Sequence, residues 1–359
     1  MTHSRVLGTV FVAILLLAGC NASSVSPLAA STSALTSGGS TAGMPADGGG
    51  HVLYIANEGY PHSVSVYGGR KRSLLRTITD DITSPVALAV NRTGHLYVAN
   101  YIPRHDDTVT EYGKQGRQFV KAVSHLPFPS ALALDSAGNL YALRLDAVDV
   151  YANGKAHLMR SIHVQGLALA LDVSGNLYVG TRSNAVNVYS PRSKTPSRTI
   201  SNGISSPSAL AFDAAGNLYV ANYLGGQNCG NHYGGSVTVY APGGSAPVYT
   251  ISASQGICNP FRLAIDSGGN LYVSNGAPGS VQSSVTVYAP GGSTLLRTIT
   301  QGVDGPWAIA VDPAGFLYVA NQSSGYAGTV TIYAPGSTSL VQTISNGPQS
   351  YPEALAIGK

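Results

Sequence analysis

The chain has 359 residues, 10% of them charged and 44% hydrophobic, with a formal net charge of +4. So weak a charge excess excludes the basic footprint of a nucleic-acid binder, and no nucleic-acid partner is expected. Glycine is frequent (43 residues), tyrosine outnumbers phenylalanine by 21 to 6, and beyond a polar N-terminal stretch roughly 300 residues are left, enough for one large β domain.

The chain opens "MTHSRVLGTVFVAILLLAGC". Arg5 precedes an apolar run, Val6 to Ala18, that is too short and wrongly flanked for a membrane-spanning helix. The run ends in "LAGC", Leu17 to Cys20, which resembles the lipobox of bacterial lipoproteins. The resemblance implies removal of residues 1–19 and lipidation of Cys20. The alternative is an ordinary secretory signal with an incidental cysteine. A lipid at Cys20 would anchor the mature chain to a membrane surface of the bacterial cell envelope, outside the cytoplasm. Residues 20–50 are nearly all Ser, Ala, Thr and Gly after Cys20. They bury too little apolar surface to offset the entropy of ordering and read as a disordered tether.

From residue 51 four short patterns follow one another in fixed order, and each occurs seven times. An "ALAV" type begins at Ala87, Ala131, Ala168, Ala209, Arg262, Ala308 and Ala354. An "LYVAN" type begins at Leu53, Leu96, Leu140, Leu177, Leu218, Leu271 and Leu317. A "VTVY" type ends at Tyr67, Tyr112, Tyr151, Tyr189, Tyr240, Tyr288 and Tyr333. An "LRTI" type ends at Ile78, Val123, Ile162, Ile200, Ile251, Ile299 and Ile344. Short β-branched or aromatic pieces bounded by Gly, Pro, Asn or Ser are strands, and roughly 40–50 residues per four strands is the spacing of a propeller blade. The expected fold is therefore all-β: a seven-bladed β-propeller of four-stranded blades over residues 51–359. The repeat begins in phase with the second strand type and ends with the first. Closure then requires the C-terminal strand to complete the N-terminal blade as its innermost strand.

Between the first two strand types lie "NRTGH", "DSAGN", "DVSGN", "DAAGN", "DSGGN" and "DPAGF". An acid or Asn at the start and Gly three later fit a tight turn, whereas a calcium loop needs several oxygen ligands and these offer one acid each. The composite "P-x-A-L-A-x-D-x-x-G-N-L-Y-V-A-N" resembles the NHL-repeat and YncE-like bacterial β-propellers over residues 51–359. NHL repeats more often carry Asp where this chain has Asn57, Asn100, Asn222, Asn275 and Asn321. These asparagines read as caps on the strand ends, with a ring of ligand-binding amides as the alternative.

Antiparallel strands put the second-to-third loops on the same face as the loops joining one blade to the next, opposite the short turns. All variable insertions fall on that face, the usual seat of function on a rigid scaffold. Aromatic residues gather there: Tyr60, Tyr101, Tyr223, Tyr233, Tyr326, Tyr351, Phe261 and Trp307, the only tryptophan. They are ligand-binding candidates or loop packing. Phe261, Trp307 and Glu353 also belong to the column before the "ALAV" core, at the channel mouth. Arg262 breaks the next column, alanine in the other six units. Arg262 and Glu353 are read either as a polar ligand site or as an ion pair across the mouth. Cys229 and Cys258, both on this face in an oxidising compartment, are expected to form a disulfide.

Two functions stand. The first is a lipid-anchored binding or scaffold module, expected to be monomeric and without a cofactor, that holds a protein, peptide or glycan on the variable face. The second is a divalent-metal-dependent hydrolase or lyase with its site at the channel mouth, as in gluconolactonase-like and streptogramin-lyase-like propellers. Such a site needs convergent carboxylates or histidines, and this mouth shows one carboxylate, Glu353. No catalytic motif or metal-ligand spacing is present, so no catalytic or metal residues are assigned.

Overall fold

The computed structural model describes residues 51–68, 72–101, 107–123, 126–153, 155–229, 232–276, 283–292, 294–322, 328–345 and 350–358, with only the backbone of Gln227, Asn228, His232 and Tyr233. The signal, Cys20 and tether readings lie outside the described residues, as do Tyr326 and the side chain of Tyr233.

Seven separate four-stranded antiparallel sheets make the ring expected from the repeats. Their innermost strands are Pro352–Gly358 for the first blade, then Pro85–Val90, Ala131–Leu134, Gly166–Leu171, Pro207–Phe212, Pro260–Ile265 and Pro306–Val311 for the second to seventh. Two 3-10 turns, Lys114–Gly116 and Ala253–Gln255, are the only helical elements among the described residues. The C-terminal strand closes the ring: Pro352–Gly358 pairs antiparallel with Val52–Asn57, Val52 opposite Gly358 and Ala56 opposite Ala354.

The blades are apolar on both faces because each packs between two others. In the second blade Ala87 and Ala89 face the third, while Leu88 faces the first. Small side chains on one side and large ones on the other let neighbouring sheets converge toward the axis. A fully buried leucine such as Leu132 stabilises this packing by about 2 kcal/mol. The outermost strands are open to solvent, as in Ser73–Ile78, where only Ile78 is buried.

On one end of the ring the "DxxGN" segments are turns. Asp213 accepts the Asn217 backbone N–H at 2.9 Å and its side-chain amide at 2.8 Å. Gly216, at φ 84°, donates its N–H to the Asp213 carbonyl at 3.0 Å. Asp135, Asp172 and Asp266 repeat the arrangement. Each acid is thus engaged by its own turn. Val52 sits at this end, opposite Gly358, so the chain enters the propeller from the turn face.

One insertion differs from its expected form. Residues 222–235, read as a loop, extend the second and third strands of the fifth blade to Leu218–Cys229 and His232–Tyr240. The ladder continues through Gly226 opposite Gly234, with two register shifts. The glycines that suggest a loop permit close packing here: a Cβ on Gly226 would lie 2.2 Å from the Gly235 carbonyl oxygen, and one on Gly235 would lie 2.3 Å from Pro260 Cδ.

Candidate functional site

On the variable face two adjacent tiers recur, the outer in five blades and the inner in six. The outer tier is the asparagine at the end of the second strand. Asn275 accepts the Cys258 N–H through Oδ1 at 3.1 Å and donates to Thr286 Oγ1 at 2.9 Å and Ser284 Oγ at 3.4 Å. Asn100, Asn222 and Asn321 likewise accept an N–H from the segment entering the blade and donate to hydroxyls of the third strand. In the first blade Ser350 Oγ takes the place of that N–H. All five asparagines are buried and internally bonded, so they fasten strand ends and do not form a ring of free amides.

The inner tier is a bulge. The register shifts across Pro85/Ala87, Gly166/Ala168, Pro207/Ala209, Pro260/Arg262 and Pro306/Ala308, and between Ala56 and Asn57 opposite Glu353. A bulge re-aims the extra side chain out of the ladder. Those residues are Val86, Leu167, Ser208, Phe261, Trp307 and Glu353. Ser208 donates to the Pro260 carbonyl at 2.8 Å, tying the fifth blade to the sixth.

The last three converge. The Phe261 and Trp307 rings lie 4.5 Å apart, and Tyr223 meets Phe261 edge-on at 6.3 Å. The Trp307 indole N–H donates to Glu353 Oε2 at 2.6 Å, and Gln322 Nε2 donates to Oε1 at 2.9 Å. Glu58, partly exposed just after Asn57, lies near enough to Glu353 for its carboxylate to act on it. It also accepts the Ser84 hydroxyl at 3.1 Å and is held through its N–H on the Tyr351 carbonyl at 2.9 Å. Burial, and then the neighbouring Glu58 carboxylate, push the Glu353 carboxyl well above the usual range, against the donors Gln322 and Trp307. The sequence reading missed Glu58. Its only signal is an acid following the second strand of a blade whose first strand carries Glu353.

Arg262 lies in the same sector and is the bulkiest of the fully buried side chains, at 1% exposure. The tier of alanines leaves room for it, and Ser274, opposite it in the ladder, accepts its backbone N–H at 3.0 Å. Its guanidinium carbon stands 4.2 Å from the Phe261 ring centroid, and Nη1 donates to the Phe261 carbonyl at 3.2 Å. Nε and Nη2 have no hydrogen-bond partner. Burial disfavours the guanidinium charge, and the field of Glu353 partly offsets this. Both Glu353 oxygens accept from other donors.

The remaining candidates scatter. Tyr101 stacks on Phe128 at 5.5 Å, Tyr60 is 79% exposed, and Tyr351 is partly exposed. Cys229 and Cys258 form the expected disulfide, with Cα atoms 5.8 Å apart. It ties the tip of the long hairpin to the segment entering the sixth blade, beside Phe261 and Arg262. For the metal alternative the donor set does not fit: among the described residues no group of three or more His, Cys, Asp or Glu side chains could hold an ion. Glu58 and Glu353 share their sector with a guanidinium instead.

No family model matches the chain, and no curated protein matches it. Solved structures do. A functionally unknown protein from Desulfotomaculum acetoxidans superposes with a TM-score of 0.68 at 12% identity, covering 86% of this chain and 98% of its own. A "putative 6-phosphogluconolactonase" from Bacteroides uniformis gives 0.65 at 14% identity, covering 86% and 99%. A protein from Lactobacillus plantarum gives 0.65 at 18%, covering 86% and 99%. The chain is a seven-bladed β-propeller. At these identities the likeness speaks for the fold alone.

Proposed function

We propose that this chain is a lipid-anchored extracytoplasmic binding module, attached through Cys20, that holds a protein, peptide or glycan on the variable face of an NHL-repeat-like propeller. One observation carries the reading: the convergence of Tyr223, Phe261, Trp307, Gln322, Glu353, Glu58 and Arg262 from four consecutive blades at one side of the channel mouth. On the opposite side the equivalent positions hold Val86, Ser130 and Leu167. Aromatic faces beside a few oriented polar groups are the composition of a recognition site.

The test is binding of the purified mature chain to glycan and peptide arrays. Trp307, the only tryptophan, reports on the site directly through its fluorescence. A ligand that perturbs Trp307 and is lost in a Tyr223→Ala/Gln322→Ala variant of unchanged stability supports the reading. Ligands that bind the variant equally well would move recognition away from the mouth.

A further inference from the structure

The fifth to seventh blades meet the first around a guanidinium that the fold leaves incompletely bonded. Arg262 is buried, with its guanidinium carbon 4.2 Å from the Phe261 ring centroid. One nitrogen, Nη1, is used on the Phe261 carbonyl. The two without partners, Nε and Nη2, form the other edge of the guanidinium, where two N–H bonds point in parallel. That edge matches two oxygens of one planar group, the fork geometry of an arginine and a carboxylate. Among the described residues no acid fills it. Glu353, the acid whose field Arg262 feels, has one oxygen on Trp307 and the other on Gln322.

We propose that Arg262 is the anchor for a ligand carboxylate that enters through the variable-face mouth and is gripped at both oxygens by Nε and Nη2. This rests on the binding-module reading and names its ligand class: a molecule with one carboxylate whose body packs on Trp307 and Tyr223. Several observations favour a carboxylate over a phosphate. Glu58, the partly exposed acid of the sector, would repel a dianion more strongly than a monoanion. The raised proton affinity of Glu353 leaves the single positive charge of Arg262 to be matched by a single negative one. A buried guanidinium with two unmet donors is costly to the fold, a cost that binding sites retain because the ligand completes the bonding. The small column around Arg262, with alanine at the equivalent position of the six other blades, shows that packing does not require the arginine.

The experiment is a Trp307 fluorescence titration of the mature chain with sodium acetate and sodium glucuronate. Sodium chloride at equal ionic strength is the control, and inorganic phosphate is a separate arm. The expected result is a saturable change with both carboxylates, half-complete at a concentration on the order of millimolar, and none with chloride. Arg262→Met abolishes the saturable change, and Arg262→Lys, which keeps the charge without the fork, weakens it at least about tenfold. Should Arg262→Met fail to fold, the lysine variant carries the comparison. The assignment is overturned if the carboxylates act no differently from chloride, if the variants match the wild type, or if phosphate alone saturates. An array ligand held equally by wild type and Arg262→Met would leave the binding-module reading standing and remove Arg262 from it.

Discussion

The asparagine tier and the bulge tier are next to each other in the ladder, Asn275 opposite Pro260 and Phe261 just after it, yet they are built on opposite rules. In the asparagine tier the same residue recurs in five blades, buried, with donors and acceptors met by its own blade. In the bulge tier the residue changes from blade to blade, and its partners come from other blades, as Trp307 of the seventh bonds Glu353 of the first. The first tier serves the fold and is self-sufficient. The second packs against a guanidinium, that of Arg262 in the neighbouring alanine column, whose bonding the fold leaves unfinished. Polar residues of similar burial can therefore be sorted by whether the repeat itself supplies their partners.

Substitutions should break or sharpen that division. The largest effect is expected from Asn275→Ala. It strands the buried Cys258 N–H and two hydroxyls and should cost about 3 kcal/mol in urea unfolding. A loss below about 0.5 kcal/mol would show that the tier does not fasten the blade. Arg262→Met should move the other way, with a gain of about 1 kcal/mol, because an incompletely bonded buried charge is replaced by an apolar side chain of similar length. A clear loss of stability would place Arg262 with the asparagines.

Glu353→Gln should act through pH. The folded carboxyl binds its proton more tightly than the unfolded one. Wild-type stability therefore falls as pH rises from the usual glutamate range through the raised folded value, and it is not lost on acidification through that window. The glutamine variant lacks this term, so its stability relative to wild type should rise across the window in urea midpoints measured at successive pH values. A difference independent of pH would contradict the raised proton affinity of the buried Glu353 carboxyl. The smallest effect is expected from Tyr60→Ser at a 79% exposed position, within about 0.5 kcal/mol, by thermal unfolding.

The blades were legible because each of the four strand types recurs with its turn chemistry, and a count of phase alone predicts that the last strand pairs with the first. The turns were legible for the same reason: Asp213, Gly216 and Asn217 carry their geometry within five residues. What was not legible depends on the ring having closed. Glu58 and Glu353 lie at opposite ends of the domain in sequence and meet only because Pro352–Gly358 pairs beside Val52–Asn57. The aromatic count on the variable face was a poor guide to exposure, since Phe261 and Trp307 are both over nine-tenths buried against each other and Tyr101 is stacked on Phe128. Side-chain type names a chemistry, but the bulge decides where that chemistry is aimed. The long hairpin of the fifth blade was obscured by its glycines, which serve close contact with Pro260 and the facing strand rather than a change of direction.

The position of Val52 gives the whole molecule a polarity. The chain comes into the ring at the turn end, level with Gly358, while the mouth cluster opens at the far end of the same strands. The first described strand thus starts at the turn end, opposite the end at which Phe261, Trp307 and Glu353 meet. Closure by Pro352–Gly358 beside Val52–Asn57 therefore brings both ends of the described chain to the face that carries no part of the cluster.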